Sequence, residues 1–379
     1  MKTETKTQKP TQPQTQKTTQ KPPVTLVTVG GENYRSADPL GLSRVLDSRP
    51  CLPQQADGID ASLPIAEDEL LIRVESLNID SASFHQIKEC CESDLKKMEA
   101  HILNLVSTRG KHHNPVTGSG GMLIGVVERV GPKFPVNEKP IRVGDKIATL
   151  VSLSLTPLHI DKIKAITLGK DRVDIEGYAI LFASGLFAKL PEDIPPTVAL
   201  AVLDVAGAPA QTRTLVKEND LVVVIGGAGK SGLLCLYEAK RKKGVTTIAV
   251  DYSPQAIERV KKTGWADQVI QADARNAIEV LEKVKAVTGG RLADVVINVA
   301  NIPETEMSCI LITKPKGIVY FFSMATSFTR AALGAEGVGA DVDLRIGNGY
   351  TQGHADLSLA LLRESKELYT LFKTQYAGD

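Results

Sequence analysis

Residues 221–240, LVVVIGGAGKSGLLCLYEAK, decide the fold of this chain. The stretch begins with five apolar residues, Leu221–Ile225, which is typical of a strand buried on both faces of a sheet. Gly227, Gly229 and Gly232 follow at the spacing GxGxxG and lead into a helix that we predict over 232–243. In this context the glycines predict a Rossmann turn. The first makes the tight turn, the second lets the backbone approach a pyrophosphate, and the third lets the helix pack on the strand.

A second predicted strand ends in an acidic residue at the position that contacts the ribose hydroxyls in dinucleotide-binding sheets. The apolar run 247–250 is followed by Asp251, 19 residues after Gly232. A carboxylate there accepts hydrogen bonds from the ribose hydroxyls and repels a 2′-phosphate, so the sequence favours NAD over NADP. The alternative is that Asp251 caps the helix beginning near Pro254. Lys230 lacks the spacing of a loop that binds nucleoside triphosphates.

Further contacts with the dinucleotide are expected from polar residues that follow the later strands, because parallel sheets bind ligands at the carboxyl ends of their strands. The alternative for each is an ordinary role in its loop. The residues predicted to bind the cofactor are Gly227, Ala228, Gly229, Lys230, Ser231, Gly232, Asp251, Tyr252, Asp273, Asn298, Asn301 and Ser323.

Composition divides the chain into three segments. Residues 1–23 consist almost entirely of Lys, Thr, Gln and Pro and predict a disordered tail. Residues 24–200 hold short, often β-branched runs and predict a β-rich domain, with strands over 69–77 and 125–130 and a helix over 93–105. Residues 201–379 alternate strands with helices and predict a doubly wound parallel α/β sheet. The predicted strands there are 221–225, 247–250, 294–299, 318–322 and 342–346, and the predicted helices are 232–243, 254–263, 277–287 and 356–372.

Charge and cysteine content exclude several classes of protein. The formal net charge of +1 gives no electrostatic reason to expect nucleic acid or an acidic membrane surface. No apolar run approaches the roughly 20 residues that span a bilayer, and residues 1–23 lack the apolar region of a secretory signal. The five cysteines include no CxxC pair, so we predict neither a disulfide framework nor a thiolate zinc site. We expect a cytoplasmic protein.

Residues 60–350 resemble the medium-chain dehydrogenase/reductase superfamily, to which zinc alcohol dehydrogenases belong. The resemblance lies in the strand 70–77 with the following NIDSASFH, in PVTGSGGMLIGVVERVG at 115–131, in VGDKI at 143–147, and in the Rossmann unit. It implies that 24–200 is a GroES-like catalytic domain, and that the protein self-associates, most simply as a dimer.

The positions that hold the catalytic zinc in this superfamily are changed here. Ser119 stands where zinc members have a histidine, and their first and third ligands fall on Asp80 and near Asp204. Such a set suits zinc poorly, because zinc prefers Cys and His, so we predict no metal. An amine can lose hydride without a Lewis acid once its ammonium has lost a proton, and carboxylates can steady the resulting iminium charge. We therefore predict an amine substrate. The alternative is that Asp80 caps a turn and Asp204 is structural.

Within the superfamily the chain is similar to the family of 3,5-diaminohexanoate dehydrogenases of lysine fermentation. The similarity lies in HHNPVTGSGG at 112–121, in residues 222–240 and in GHADLSLALLRES at 353–365. It implies NAD-dependent oxidative deamination of the diamino acid substrate (3S,5S)-3,5-diaminohexanoate to 5-amino-3-oxohexanoate, with release of ammonia and NADH. Two rival functions are a zinc-independent quinone or enoyl reductase and a non-catalytic NAD-binding protein.

The predicted catalytic residues are Asp80, His85, Ser119 and Asp204. His85 lies where related dehydrogenases place a proton-relay group, and the alternative is a structural or surface histidine. At most one of His112 and His113 is expected to face the active site. Arg109 and Lys111 are candidates to bind the substrate carboxylate, with exposure to solvent as the alternative.

Overall fold

The computed structural model describes residues 24–114, 120–347 and 349–377, except for the side chains of residues 81 and 82. The chain divides into two compact units, Met1–Lys189 and Leu190–Asp379. The predicted domain boundary lay after residue 200. The helix Pro196–Leu203 belongs to the second unit because it packs against two helices near the end of the chain. The predicted tail, residues 1–23, and Ser119 lie outside the described residues.

The first unit is built on antiparallel strands. Its described strands are β1 (Leu26–Val29), β2 (Glu32–Arg35), β3 (Leu70–Asn78), β4 (Met122–Val130), β5 (Lys146–Thr149), β6 (Leu158–Thr167), β7 (Arg172–Leu181) and β8 (Phe187–Lys189). Strands β1 and β2 form a hairpin, and the other six form one sheet in the order β6-β7-β3-β4-β5-β8. Strand β3 buries Leu70, Ile72 and Val74 while Arg73 is exposed, which is the alternation predicted over 69–77.

Two helices lie between β3 and β4. Helix α1 (Ser81–Cys90) was not predicted, and α2 (Leu95–Arg109) runs four residues beyond the predicted end at 105. Met98 and Ile102 are buried as expected, whereas Leu95 is exposed. Helix α2 ends at Gly110, whose φ is 65°. A Cβ at Gly110 would lie 1.9 Å from the Ile59 carbonyl oxygen, so no other residue fits there.

A buried arginine links the segment before β3 to that strand. Arg44 is fully buried, and its Nε and Nη2 each donate to Glu69 at 2.7 Å. Its Nη1 also donates to the carbonyl of Asp60 at 2.8 Å. An unpaired buried charge is costly, so Arg44 can be fully buried here because Glu69 supplies a matching charge and both hydrogen bonds.

The second unit is a parallel sheet with the strand order of the Rossmann fold. Its described strands are β9 (Leu221–Ile225), β10 (Thr246–Asp251), β11 (Gln268–Gln271), β12 (Ala293–Asn298), β13 (Thr313–Phe321) and β14 (Asp343–Ile346). They are ordered β11-β10-β9-β12-β13-β14, and each neighbouring pair is parallel. This is the order 3-2-1-4-5-6 of dinucleotide-binding sheets. The predicted fold class is confirmed.

Helices cover both faces of that sheet. They are α3 (Pro196–Leu203), α4 (Gly207–Leu215), α5 (Lys230–Lys240), α6 (Pro254–Thr263), α7 (Ala277–Thr288), α8 (Glu306–Leu311), α9 (Phe328–Gly337), α10 (His354–Glu364) and α11 (Lys366–Tyr376). Val222 and Val224 of β9 enter one hydrophobic core, and Leu221, Val223 and Ile225 enter the other. The strand is therefore buried on both sides, as its apolar run predicts.

The predicted final helix, 356–372, is wrong because the structure has two helices there. Ser365 is extended, with φ −124° and ψ 112°, and separates α10 from α11. Its hydroxyl accepts a hydrogen bond from the N–H of Leu368, which caps α11. The apolar spacing continues across the break, so periodicity alone does not reveal it. No helix among the described residues has the length and apolar character needed to cross a membrane.

Candidate nucleotide-binding and catalytic sites

The glycine turn between β9 and α5 is shaped by close backbone contacts. Gly226 has φ 83°, and a Cβ there would lie 2.8 Å from the N of Ala300, in the loop after β12. At Gly232 a Cβ would lie 2.3 Å from the Gly226 carbonyl oxygen, so the third glycine is needed for the helix to approach the turn. Sequence reasoning did not single out Gly226, because the neighbour that excludes its side chain comes from a distant strand.

Gly229 differs from these two glycines. It is exposed at the N-cap of α5 with φ −76°, and a Cβ there would meet only the Gly226 carbonyl oxygen, at 3.6 Å. The protein's own packing therefore does not require a glycine at this position. The missing side chain leaves room on the outer side of the turn, where free N–H groups of the first helical turn can bind a phosphate.

Asp251 is held directly against this turn. Its Oδ2 accepts a hydrogen bond from the N–H of Ala228 at 2.9 Å, and its Oδ1 accepts one from the N–H of Tyr252 at 2.8 Å. Helix α6 is capped by Ser253, whose hydroxyl accepts from the N–H of Ala256, so the capping alternative for Asp251 is wrong. Each carboxylate oxygen keeps a lone pair, with which it can accept a ribose hydroxyl.

Two predicted residues from different helices form an ion pair beside the turn. Lys230, in the first turn of α5, places its Nζ 2.5 Å from Oδ2 of Asp204. Asp204 is the C-cap of α3, and its side chain is about half exposed at 52%. Asp204, which the sequence places near the position of a zinc ligand in the superfamily, is thus paired with a lysine of the predicted cofactor loop. Such a structural role is the alternative considered for Asp204.

The polar residues after the later strands differ in their environment. Asn298 pairs in register with Ile225, next to the turn, but it is fully buried and its Nδ2 donates to Thr305 at 2.7 Å. Its Oδ1 accepts from the N–H of Ala300, so this side chain shapes the loop after β12. Asn301 and Tyr252 are exposed.

Asp273 and Ser323 are engaged locally. Asp273 binds the guanidinium of Arg275, with the closest contact at 2.7 Å, and these hydrogen bonds lower the pKa of Asp273 to about 2. The Ser323 hydroxyl accepts from the N–H of Ala325 at 3.2 Å. Both side chains have the loop role that was the alternative, and their contact with a dinucleotide stays a prediction.

Two residues that sequence reasoning missed support the turn from distant helices. The carbonyl oxygen of Ala228 accepts from Nη1 of Arg259, on α6, at 3.2 Å and from the hydroxyl of Tyr376, on α11, at 3.3 Å. No local pattern marks these residues, because the contacts depend on how α6 and α11 pack.

In the first unit Asp80 caps α1. Its Oδ1 accepts from the N–H of Ser83 at 2.9 Å, and its Oδ2 accepts from the Ser83 hydroxyl at 2.5 Å. Asn114 Nδ2 donates to the same hydroxyl at 3.0 Å. Gly121 has φ 92°, and a Cβ there would lie 2.8 Å from the N of Asp80. The structure therefore brings Asn114 and Gly121 together with the start of α1, where the carboxylate of Asp80 is half-buried.

The histidines of the site have contrasting environments. His85 is 69% exposed, and its Nε2 lies 3.1 Å from Glu89, which matches the surface alternative. His112 is fully buried, and burial lowers its pKa to about 4. Its Nδ1 lies 3.2 Å from the Gly120 carbonyl oxygen, while its Nε2 has no partner among the described residues. The half-buried His113 contacts Arg109 through Nδ1 at 3.2 Å.

Lys111 is fully buried, so exposure to solvent, the alternative considered for it, is wrong. Its Nζ donates to the carbonyl oxygens of Pro53 at 2.7 Å and Gln54 at 3.3 Å. Burial lowers the pKa of this ammonium to about 8. These carbonyls come from a segment almost 60 residues earlier in the chain. The ammonium considered for binding the substrate carboxylate therefore already donates hydrogen bonds within the protein.

The chain matches two family models. The model described as the L-erythro-3,5-diaminohexanoate dehydrogenase N-terminal domain matches residues 43–191. The model described as zinc-binding dehydrogenase matches residues 232–335, a range that contains none of Asp80, Ser119 and Asp204.

Solved structures with the same fold are remote in sequence. A mycobacterial quinone oxidoreductase is 20% identical with a TM-score of 0.53, and 86% of each chain is covered. A mycobacterial protein complexed with NADPH is 19% identical with a TM-score of 0.53 over 84% of each chain. CurK enoyl reductase is 16% identical with a TM-score of 0.51, covering 83% of this chain and 89% of that one. These likenesses establish the fold alone.

Much higher similarity joins the chain to two curated relatives. The L-erythro-3,5-diaminohexanoate dehydrogenase of Acetoanaerobium sticklandii is 53% identical over 338 residues, and that of Fusobacterium nucleatum is 50% identical over 338 residues. Each alignment covers 89% of this chain and 98% of the relative. The family predicted from the sequence is confirmed, and the chain belongs to the L-erythro-3,5-diaminohexanoate dehydrogenase family.

Proposed function

We propose that the protein oxidises (3S,5S)-3,5-diaminohexanoate with NAD. The C3 ammonium, NAD⁺ and water are converted to the C3 ketone of 5-amino-3-oxohexanoate, NADH, ammonium and one proton. The observation that carries the proposal is the 53% identity to a named dehydrogenase over 98% of its length. NAD supplies the hydride acceptor, and the chain's own residues orient the amine and the nucleotide.

The preference for NAD rests on Asp251. Its carboxylate is fixed at the glycine turn by the N–H of Ala228, and a 2′-phosphate placed there would be repelled. Arg259, which donates to the carbonyl of Ala228, is the neighbouring cation that would favour NADP if the acid were removed. Asp251→Asn should therefore weaken NAD binding and bring the Kd of NADP closer to that of NAD, as measured by fluorescence titration. A wild-type preference for NADP would refute this role.

The preference for an amine rests on Asp80. Its carboxylate, half-buried near Asn114 and Gly121, would attract the substrate ammonium and stabilise positive charge as the iminium forms. Removal of the charge should lower kcat more than it changes the Kd of NAD, because Asp80 acts on the reacting amine. Asp204, paired with Lys230, would act less directly, through the position of the cofactor loop.

A matched control for Asp80 exists on the next helix. Asp94 caps α2 and accepts from the N–H groups of Lys96 and Lys97, just as Asp80 caps α1. Asparagine caps helices nearly as well as aspartate, so Asp80→Asn and Asp94→Asn should both fold. We expect loss of turnover only in Asp80→Asn. Equal turnover in the two variants would remove Asp80 from the mechanism.

A substrate screen separates the proposed activity from its rivals. NADH formation should be strong with the diamino acid and weak with simple alcohols, as followed by absorbance. Reduction of quinones or enoyl thioesters by NADH would instead support the reductase alternative, which rests on remote structural likeness. NAD binding with no turnover of any substrate would support the non-catalytic alternative.

His85→Asn tests the predicted proton relay, since an unchanged pH profile of turnover would exclude a proton relay through His85. Light scattering tests the expected dimer.

A further inference from the structure

Two cysteines and a histidine converge where α1 ends and α2 passes beside it. Cys90 is the last residue of α1, Cys91 follows it as the C-cap, and His101 lies on α2. The sulfur atoms of Cys90 and Cys91 are 3.6 Å apart. Both sulfurs and one ring nitrogen of His101 all lie within 4.8 Å of one another. Cys91 is buried, whereas Cys90 and His101 are exposed.

We propose that Cys90, Cys91 and His101 bind one Zn²⁺, with a water molecule in the fourth position. Thiolate and imidazole are the ligands that zinc prefers in tetrahedral sites. Binding exchanges the two thiol protons for the metal and leaves the two thiolates and Zn²⁺ neutral as a set. The site lies outside the predicted catalytic positions, Asp80, Ser119 and Asp204.

The spacing of the two sulfurs already matches a zinc site. With Zn–S bonds of about 2.3 Å, sulfurs 3.6 Å apart subtend an angle of about 103° at the metal, close to tetrahedral. A disulfide requires sulfurs about 2.0 Å apart, so the observed separation is not that of a bond. The nitrogen of His101 needs to approach each sulfur to about 3.6 Å, which is a short movement for an exposed side chain.

The expected role of this zinc is to fix α1 against α2. Helix α1 carries Asp80 at its N-cap and the two cysteines at its other end, and α2 supplies the histidine. A metal joining the two helices would therefore hold the helix that positions the proposed catalytic carboxylate. A search for CxxC does not find this site, because its cysteines are adjacent in sequence and its third ligand comes from the next helix.

The test uses the full-length protein freed of metal and titrated with Co²⁺ as a spectroscopic probe, then with Zn²⁺. We expect one equivalent of Co²⁺ to produce thiolate charge-transfer and tetrahedral d–d absorption, and Zn²⁺ to displace it. Zn²⁺ should also raise the Tm, because the folded state alone brings His101 beside the two cysteines and so binds the metal more tightly than the unfolded chain. Cys90→Ser and His101→Gln change exposed side chains, so both should fold. Each should weaken Zn²⁺ affinity by at least about tenfold.

Matched controls are Cys51→Ser and His159→Gln, which change a cysteine and a histidine of the same unit outside the cluster. Both should bind Zn²⁺ like the wild type. The proposal is overturned if no thiolate charge-transfer band appears at one equivalent of Co²⁺. It is also overturned if Cys90→Ser and His101→Gln bind zinc like the controls, or if protein purified under reductant has a mass lower by two hydrogens from a Cys90–Cys91 disulfide.

Discussion

Replacing Gly229 by alanine should separate cofactor binding from folding. The Cβ of an alanine at 229 would meet only the Gly226 carbonyl oxygen at 3.6 Å, an ordinary contact, and φ is −76°. The folded protein should accept this change and gain about 0.4–1 kcal/mol, because alanine restricts the unfolded chain. The same methyl group would occupy the space where the backbone approaches the pyrophosphate. We expect an overpacking cost of about 1–3 kcal/mol, equivalent to a Kd for NAD about 5- to 150-fold weaker.

Gly232→Ala is the matched control. Its Cβ would lie 2.3 Å from the Gly226 carbonyl oxygen and 2.7 Å from the Cα of Gly227, so this clash lies inside the protein. We expect it to lower the free energy of unfolding by about 1–3 kcal/mol, which corresponds to a fall in Tm of about 2–12 °C for a unit of this size.

Calorimetric titration with NAD and thermal melting of the apo protein measure the two effects separately. Gly229→Ala should change the Kd without lowering the Tm, and Gly232→Ala should lower the Tm. NAD binding by Gly229→Ala at the wild-type Kd would refute the assignment of this turn to the pyrophosphate. A fall in the Tm of Gly229→Ala as large as that of Gly232→Ala would refute the packing argument.

Three further predictions concern stability. Glu69→Gln leaves the buried Arg44 without its ion-pair partner and should cost about 3–5 kcal/mol in urea unfolding, and a loss below about 1 kcal/mol would contradict this. Burial lowers the pKa of Lys111 from 10.5 to about 8. Between about pH 8 and 10.5 the unfolded chain therefore binds one more proton than the folded chain, so the free energy of unfolding rises with pH. Lys111→Met should flatten that rise, and an unchanged slope would exclude Lys111 as its source. Ser365→Ala removes the cap of α11 and should cost about 1 kcal/mol, whereas Ser365→Asn should cost little; equal losses in thermal melts would show that the cap is unimportant.

Most of the contacts around the predicted catalytic residues could not be predicted from the local sequence, because the partners are distant along the chain. Asp80 follows a strand and precedes a helix, and its carboxylate caps that helix while Gly121 lies against its backbone N. A capping contact spans three residues and can be foreseen, whereas the approach of Gly121 depends on the pairing of β3 with β4. Burial of Lys111 and His112 has the same origin, because the groups that surround them are distant in sequence.

The sequence by itself determined the Rossmann sheet and the nature of its turn. Leu221–Ile225 is apolar because the strand is buried on both faces, and Gly232 lies where a side chain would clash with the turn itself. Asp251 ends β10, as the pattern of dinucleotide-binding sheets requires. These features lie within short stretches of the chain, so the sequence alone reveals them. The tertiary structure alone decided that Lys230 pairs with Asp204, that Arg259 and Tyr376 hold the carbonyl of Ala228, and that Cys90, Cys91 and His101 converge. Those contacts join side chains from separate helices, and their distances depend on how the helices pack.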